Sequence, residues 1–249
     1  MFDFLILHQT FILLLFGGFF IGVISVVIGG GHFFSVPFMQ YLYPSVSFGT
    51  ILGNIKVSSF VRGIGSTFAT KHMIEWRRDL SVGAIAIVGS VIGASIIANI
   101  DQHWLVVAVV FAIVLSESAP YLATKITPRI FHVASFLTGI YAGFFGAGIG
   151  ILLIALLRLK HPVDTDIALV KVQARFVEMF LTVGAVMAHW YHGNLISSIW
   201  IPLSIGTLIG GIVGGLVLNK LSKLSGKIQS FVLRAAYAVA FLVALTAFF

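Results

Sequence analysis

Cysteine is absent from this chain of 249 residues, and charged residues make up only 9% of it. Without cysteine there is no disulfide framework, no thiolate metal ligand and no cysteine nucleophile. Soluble domains carry about 25% charged residues because water must wet their surface, so the composition excludes a water-soluble globular domain. A disordered chain is excluded too, because 59% of the residues are hydrophobic. The composition therefore indicates an integral membrane protein.

Acidic residues are scarce as well, with 8 Asp+Glu against 15 Lys+Arg and a net charge of +7. A basic excess can indicate nucleic-acid binding, but these charges are too few and too scattered to follow a phosphate backbone. Basic residues also accumulate in the cytoplasmic loops of membrane proteins. The sequence thus predicts the lipid bilayer as a partner and excludes nucleic acid.

Apolar stretches of membrane-spanning length, about 20 residues, occur eight times. The strict alternation of apolar and polar residues that is typical of a membrane β-barrel is missing. We therefore predict an all-α fold whose membrane segments lie near 11–43, 48–70, 80–98, 104–123, 133–157, 167–190, 197–218 and 229–249.

The two halves of the chain resemble each other. Glycines of the first and fifth segments correspond in order, Gly18, Gly22 and Gly29 to Gly139, Gly143 and Gly150. The next segments begin with the related runs ILGNIKVSS and IALVKVQAR, which place Lys56 on or beside Lys171. We predict two repeats of four segments, residues 1–124 and 125–249, that form one transport domain.

The loop charges predict how the repeats are oriented. Ten of the 15 basic residues lie in loops 71–79, 124–132, 158–166 and 219–228, which the positive-inside rule places in the cytoplasm. Only segment 133–157 separates the second and third of these loops, so it must enter the membrane and return at its glycine cluster. By the repeat, segment 11–43 returns around Gly29–Gly31. Each half then has three crossings, which predicts inverted repeats with both termini outside, as in secondary transporters.

The glycine clusters are candidate binding sites. Broken helices at membrane depth must line a cavity or be buried in protein, and their free N–H groups and positive helix ends suit an anion. The alternative is that the glycines only permit close helix packing. The candidate backbone ligands are Gly29, Gly30, Gly31, Gly148 and Gly150.

Basic residues also lie inside the apolar segments, although a cation near the bilayer centre costs about 2.5–3.5 kcal/mol. They are Lys56, Arg62, Lys171 and Arg175. One interpretation is that they reach the interface or pair with Glu178. The other is that they hold a small anion between the repeats, with neutral hydrogen bonds from Asn54, Ser59 and Gln173.

Three further residues are candidates for proton coupling: Glu117, Glu178 and His32. Glu117 is equally compatible with a position at a helix end, and His32 with packing alone. His189 and His192 lack a third ligand, so we expect no metal. No cofactor motif is found, and Gly-x-Ser-x-Gly and His-Glu-x-x-His are missing; we therefore expect no enzyme.

The sequence resembles the sulfite exporter TauE/SafE family of anion permeases for sulfur compounds. The residues that carry the likeness are Gly18-x-x-x-Gly22 leading to Ile28-Gly-Gly-Gly31 and Pro37, Gly139-x-x-x-Gly143 with Gly148-Ile-Gly150, and Ile74-Glu-Trp-Arg77. Val27 and Ile151-Leu152 depart from the fuller glycine pattern. The resemblance implies a prokaryotic inner-membrane permease for sulfite, sulfonates or related anions.

We therefore predict a secondary transporter that exports small anions by alternating access, with one repeat rocking against the other. Export of one negative charge from an inside-negative cell gains about 2.3 kcal/mol per 100 mV. The alternatives are an anion channel and an uptake permease with proton coupling. The sequence leaves the oligomeric state open, a homo-oligomer included.

Overall fold

A computed structural model of the chain describes residues 2–27, 30–99, 130–146, 149–159 and 167–221, with a few isolated positions between 114 and 127. This described part contains helices and turns but no strand, which confirms the all-α prediction. The helices are α1 (Phe2–Val27), α2 (His32–Leu42), α3 (Phe48–Thr70), α4 (Trp76–Ala98), α5 (Phe131–Phe144), α6 (Ile149–Arg158), α7 (Ile167–Tyr191) and α8 (Ser197–Leu221), with a 3₁₀ turn at Lys71–Met73.

The helix bounds follow the predicted apolar segments. Four segments correspond to one helix each, with shifts of a few residues at their ends: 48–70, 80–98, 167–190 and 197–218. The two segments with glycine clusters, 11–43 and 133–157, each contain two helices instead. Segments 104–123 and 229–249 lie outside the described residues.

Two stretches of the described helices, Gln9–Val27 and Ser197–Leu221, are long and apolar enough to cross a membrane. Val82–Ala98 and Phe131–Phe144 are shorter apolar helices. Many large apolar side chains stay exposed on the helices, among them Phe16, Phe20 and Phe68. Such a surface is unusual for a soluble protein and suits contact with lipid.

Rows of glycine bring two pairs of helices into backbone contact. On α1, a Cβ added to Gly22 would lie 2.9 Å from the carbonyl oxygen of Thr207 on α8. On α4, a Cβ added to Gly89 would lie 2.9 Å from the backbone nitrogen of Ile140 on α5. Small residues are what allow helices to approach this closely in a membrane. The first helix of each half therefore packs on the last described helix of the other half.

The direction of each helix follows from these contacts. Gly18 lies beside Leu203 and Gly214 beside Val26, so α1 and α8 are parallel. On α3, Ser58 O accepts a hydrogen bond from Thr207 Oγ1 at 2.9 Å. A Cβ on Gly215 would lie 3.1 Å from Ser66 O, so α3 is parallel to α8 as well. We call α1, α3 and α8 the first triplet.

The second triplet is α4, α5 and α7. On α5, a Cβ on Gly139 would lie 2.8 Å from Ala86 Cα, and a Cβ on Gly143 would lie 2.7 Å from the carbonyl carbon of Ser90, four residues further along α4. Gly83 lies beside Phe180, and a Cβ on Gly184 would lie 2.7 Å from Ile87 O. These contacts make all three helices parallel to one another.

The triplets meet in opposite directions through α3 and α7. Gly53, near the start of α3, contacts His189 near the end of α7, and Gly63 contacts Met179 in the middle of α7. The two central helices are therefore antiparallel.

Helices α2 and α6 are the returning pieces. Because α1 and α3 are parallel, the chain must reverse between them. The Phe38 ring of α2 indeed packs on Gly17 of α1, where a Cβ would lie 2.7 Å from Phe38 Cε1. In one continuous helix these positions would be about 30 Å apart. The same reasoning makes α6 the return between the parallel helices α5 and α7.

Candidate functional site

The two interrupted helices meet in the interior. The first break lies between Val27 and His32, and the second between Phe144 and Ile149. Each contains a glycine with positive φ, Gly30 at 66° and Gly146 at 77°, a conformation that glycine adopts without steric cost. The rings of His32 and Phe145 lie 6.4 Å apart between centroids. The tips of the two hairpins are thus neighbours.

Arg62 of α3 lies at the first break. Its Nη1 atom is 2.7 Å from the position that a Cβ on Gly31 would take, and the hydroxyl of Ser25 reaches the same position. A side chain at residue 31 would displace both groups. Glycine therefore lets a guanidinium and a hydroxyl approach the backbone where α2 begins.

Arg175 of α7 lies at the second break in a similar way. Its Nη2 atom is 2.8 Å from the position that a Cβ on Gly150 would take. Each break is thus lined by an arginine from the central helix of its own half. The first residues of α2 and α6 also present helix N-termini at the breaks, which carry partial positive charge.

The side chain of Lys56, on α3 of the first half, reaches the second break. Its Nζ donates to Ala142 O at 2.6 Å and to Phe145 O at 3.1 Å. These carbonyls end α5 and lack partners within that helix. A cation at a helix C-terminus also interacts favourably with the helix dipole. Lys56, at 1% exposure, therefore holds the broken end of α5 in place.

One carboxylate joins the two arginines. Arg62 Nη2 donates to Glu178 Oε1 at 3.1 Å, and Arg175 Nη1 donates to Glu178 Oε2. All three side chains are buried. The bridge links the first triplet to the second at the centre of the molecule.

The described residues around the breaks carry more positive than negative charge. Arg62 and Arg175 share the one carboxylate of Glu178, and Lys56 is buried on the same helix as Arg62. Buried charge in excess of its counter-charge is costly. A small anion that enters this region would therefore be stabilised.

Three buried polar atoms around the breaks have no hydrogen-bond partner within the described part of the chain. They are Ser25 Oγ, His32 Nε2 and Arg175 Nε. Leaving such a group unsatisfied costs about 1–3 kcal/mol. Polar atoms with unmet hydrogen-bonding capacity, next to excess positive charge, are the arrangement that an anion with several oxygens can satisfy.

Two of the predicted polar ligands, Asn54 and Gln173, form hydrogen bonds with loops. Asn54 binds the loop after α7, where Ile196 N donates to its Oδ1 at 3.0 Å. Gln173 Nε2 donates to Met73 O at 3.4 Å, near the end of α3. Ser59 is buried one turn before Arg62, and Lys171 is buried one turn before Arg175. Asn54 and Gln173 therefore bind loops at opposite ends of the bundle.

Three predicted residues fall outside the described residues: Gly29, Gly148 and Glu117. Sequence reasoning in turn missed Ser25 and the carbonyls of Ala142 and Phe145. Ser25 could have been found as a hydroxyl just before a glycine cluster. The carbonyls could not, because nothing in a sequence distinguishes one backbone oxygen from another. In the described part, no three His, Asp or Glu side chains are grouped to hold a metal ion.

Comparison with known proteins gives the family. The family model described as sulfite exporter TauE/SafE matches residues 14–245. A protein of Methanocaldococcus jannaschii, named as a probable membrane transporter, is 29% identical over 189 residues, which cover 68% of each chain. No solved structure matches significantly. The family match includes both breaks and the helices that carry the buried cations. The resemblance seen in the sequence is therefore confirmed: the chain belongs to the sulfite exporter TauE/SafE family and is a membrane transporter.

Proposed function

We propose that this transporter exports small oxyanions, sulfite or organosulfonates, by alternating access around the two breaks. The observation that carries the proposal is the pair Arg62 and Arg175, held at the breaks with an excess of buried positive charge. Guanidinium groups bind planar or pyramidal oxyanions through two parallel hydrogen bonds. A sulfite or sulfonate group offers three oxygens to such donors.

Glu178 acts as the internal counter-ion of this site. Its two oxygens accept hydrogen bonds from the same arginines that the substrate needs. An entering anion therefore competes with the carboxylate, and release of the anion restores the bridge. Protonation of Glu178 or His32 at the site would supply a route for proton coupling.

The arrangement of the helices supports inverted repeats. Helices α3 and α7 hold equivalent places in the two halves and run antiparallel, as corresponding helices of an inverted repeat must. The loop that contains Lys71 and Arg77 then faces the cytoplasm, and both termini lie outside a prokaryotic inner membrane. In alternating access, the first and second triplets move against each other around the arginine pair.

The test is flux of labelled sulfite in proteoliposomes. We expect Arg62→Ala and Arg175→Ala each to abolish saturable flux, while Arg77→Ala, which removes an exposed arginine of α4, keeps it. Size-exclusion chromatography establishes that each variant is folded. Normal flux in both folded interior variants would exclude the proposed site.

The same preparation distinguishes the alternatives. Saturation and counter-transport by unlabelled sulfite are expected for a carrier, whereas an ohmic single-channel current would indicate an anion channel. Accumulation driven by a proton gradient would indicate an uptake permease.

A further inference from the structure

Asn54 and Gln173 make equivalent contacts. Each is an amide on a central helix, Asn54 on α3 and Gln173 on α7. Each donates to a backbone carbonyl in the loop that follows the other central helix. Asn54 Nδ2 donates to Asn194 O at 3.3 Å, and Gln173 Nε2 donates to Met73 O at 3.4 Å.

These two contacts lie at opposite ends of the bundle. Asn194 follows the end of α7 and Met73 follows the end of α3, and the two helices are antiparallel. A central helix of this length spans about 35 Å. The arginine pair lies between the two contacts.

The contact at Asn194 is extensive. Besides Asn54, Thr50 Oγ1 of α3 donates to Asn194 Oδ1 at 3.3 Å. Asn194 Nδ2 in turn donates to Ala98 O, at the end of α4, at 3.3 Å. Asn194 therefore ties the start of α3, in the first triplet, to the ends of α4 and α7, in the second.

The contact at Met73 combines one hydrogen bond with apolar packing. Ile74 packs with Val172 and Phe176 of α7 in a buried cluster, and Gln173 Oε1 beside them has no hydrogen-bond partner in the described structure. This contact ties the end of α3, in the first triplet, to the start of α7, in the second.

We propose that Asn54 and Gln173 are paired latches that close the transport path at its two ends, the first at Asn194 and the second at Met73. The inference rests on the proposed alternating access, because each latch joins the two triplets that must separate at one end at a time. Among the described residues, the Asn54 latch is built mainly from hydrogen bonds, whereas the Gln173 latch combines its hydrogen bond with the apolar cluster around Ile74.

Accessibility of a single thiol tests the proposal without measuring flux. The chain lacks cysteine, so Ser59→Cys introduces one buried thiol, placed on α3 between Asn54 and Arg62. A membrane-impermeant methanethiosulfonate is added from one side of oriented vesicles at a time. In the Ser59→Cys background both latches are closed, and we expect slow labelling from either side.

The latch variants are made in the same background. Loss of one ordinary hydrogen bond shifts an equilibrium about fivefold. We therefore expect Asn54→Ala to raise labelling from the Asn194 side at least about fivefold, and Gln173→Ala to raise it from the Met73 side by a similar factor. Neither variant should raise the labelling rate from the opposite side.

Matched controls remove a buried hydrogen bond without touching a loop. Ser66 Oγ donates to Gly63 O within α3, and Thr182 Oγ1 donates to Met179 O within α7. Ser66→Ala and Thr182→Ala should leave both rates unchanged. Should Asn54→Ala fail to fold, Thr50→Val removes one bond of the same latch and should act in the same direction.

Equal acceleration from both sides, or none from either, would overturn the latch proposal. Because labelling reports access rather than transport, this result is obtained independently of the flux assay. Conversely, side-specific labelling in a protein that carries no sulfite would support the latches while excluding the proposed substrate.

Discussion

Arg62 and Arg175 come from different halves of the chain and bind the two oxygens of one carboxylate, Glu178. The relationship places a negative group between two cations that each lie against the backbone of a broken helix. In a resting transporter such a group keeps the arginines in position and lowers the cost of burying them.

Replacement of this carboxylate tests its role as a competitor. We expect Glu178→Gln to lower the KM for sulfite about tenfold, a change of about 1.4 kcal/mol in binding free energy. It should also lower the melting temperature of the protein without anion, because two buried cations lose their counter-charge. Sulfite should then raise the melting temperature more in the variant than in the wild type. Exposed Glu75→Gln is the control, and an unaltered KM with no added stabilisation by sulfite would contradict the competition.

Lys56 is expected to act mainly through stability. Lys56→Met leaves Ala142 O and Phe145 O without their donor and should cost about 3–6 kcal/mol of unfolding free energy, since hydrogen bonds to charged groups contribute about 1.5–3 kcal/mol each. The measurement is thermal unfolding in detergent, with exposed Lys71→Met for comparison. A variant as stable as the wild type that binds sulfite poorly would instead assign Lys56 to the substrate.

The glycines of α4 should differ in their tolerance of a side chain, because Gly93 contacts the backbone of α5 and Gly83 contacts a side chain of α7. A Cβ on Gly93 would overlap Ile140 O of α5, whereas a Cβ on Gly83 would lie 3.5 Å from Phe180 Cβ, an ordinary contact. We therefore expect Gly93→Ala to reduce the yield of folded protein strongly. Gly83→Ala should be neutral or stabilising by up to about 1 kcal/mol, because alanine favours the helix. Equal yields for the two variants would show that the helices are not packed this closely.

Membrane potential should affect the direction of flux. Moving one negative charge outward across an inside-negative membrane gains about 2.3 kcal/mol per 100 mV. Efflux of labelled sulfite from proteoliposomes should therefore accelerate with an inside-negative potassium diffusion potential and slow when the potential is reversed. An efflux rate that does not depend on the membrane potential would indicate an electroneutral exchange or cotransport.

The all-α fold and the bounds of the described helices could be predicted because both depend on local composition. Segment 48–70 coincides with α3, since a long apolar run and a capping serine at its start define a helix without reference to its neighbours. Arg62 and Arg175 could be selected because cations inside apolar segments are costly wherever they lie.

The contacts of these residues could not be predicted in the same way. Asn54 and Gln173 are polar residues beside buried lysines, which is why they were assigned to the substrate. Only the antiparallel packing of α3 and α7 brings each of them to a loop of the other half. The similarity of the flanking residues matched Lys56 to Lys171. The partners of Lys56, however, are two carbonyls that become available only where α5 ends.

The glycine rows between α1 and α8, and between α4 and α5, have a consequence for biosynthesis. Helix α1 leaves the ribosome before α8, but the backbone surface that fits its glycines belongs to α8, nearly 200 residues later. Until α8 is made, that face of α1 must be covered by lipid or by an insertion factor. The first half of the chain, expressed alone, should therefore enter the membrane without reaching a stable fold, and the two halves expressed together should recover it.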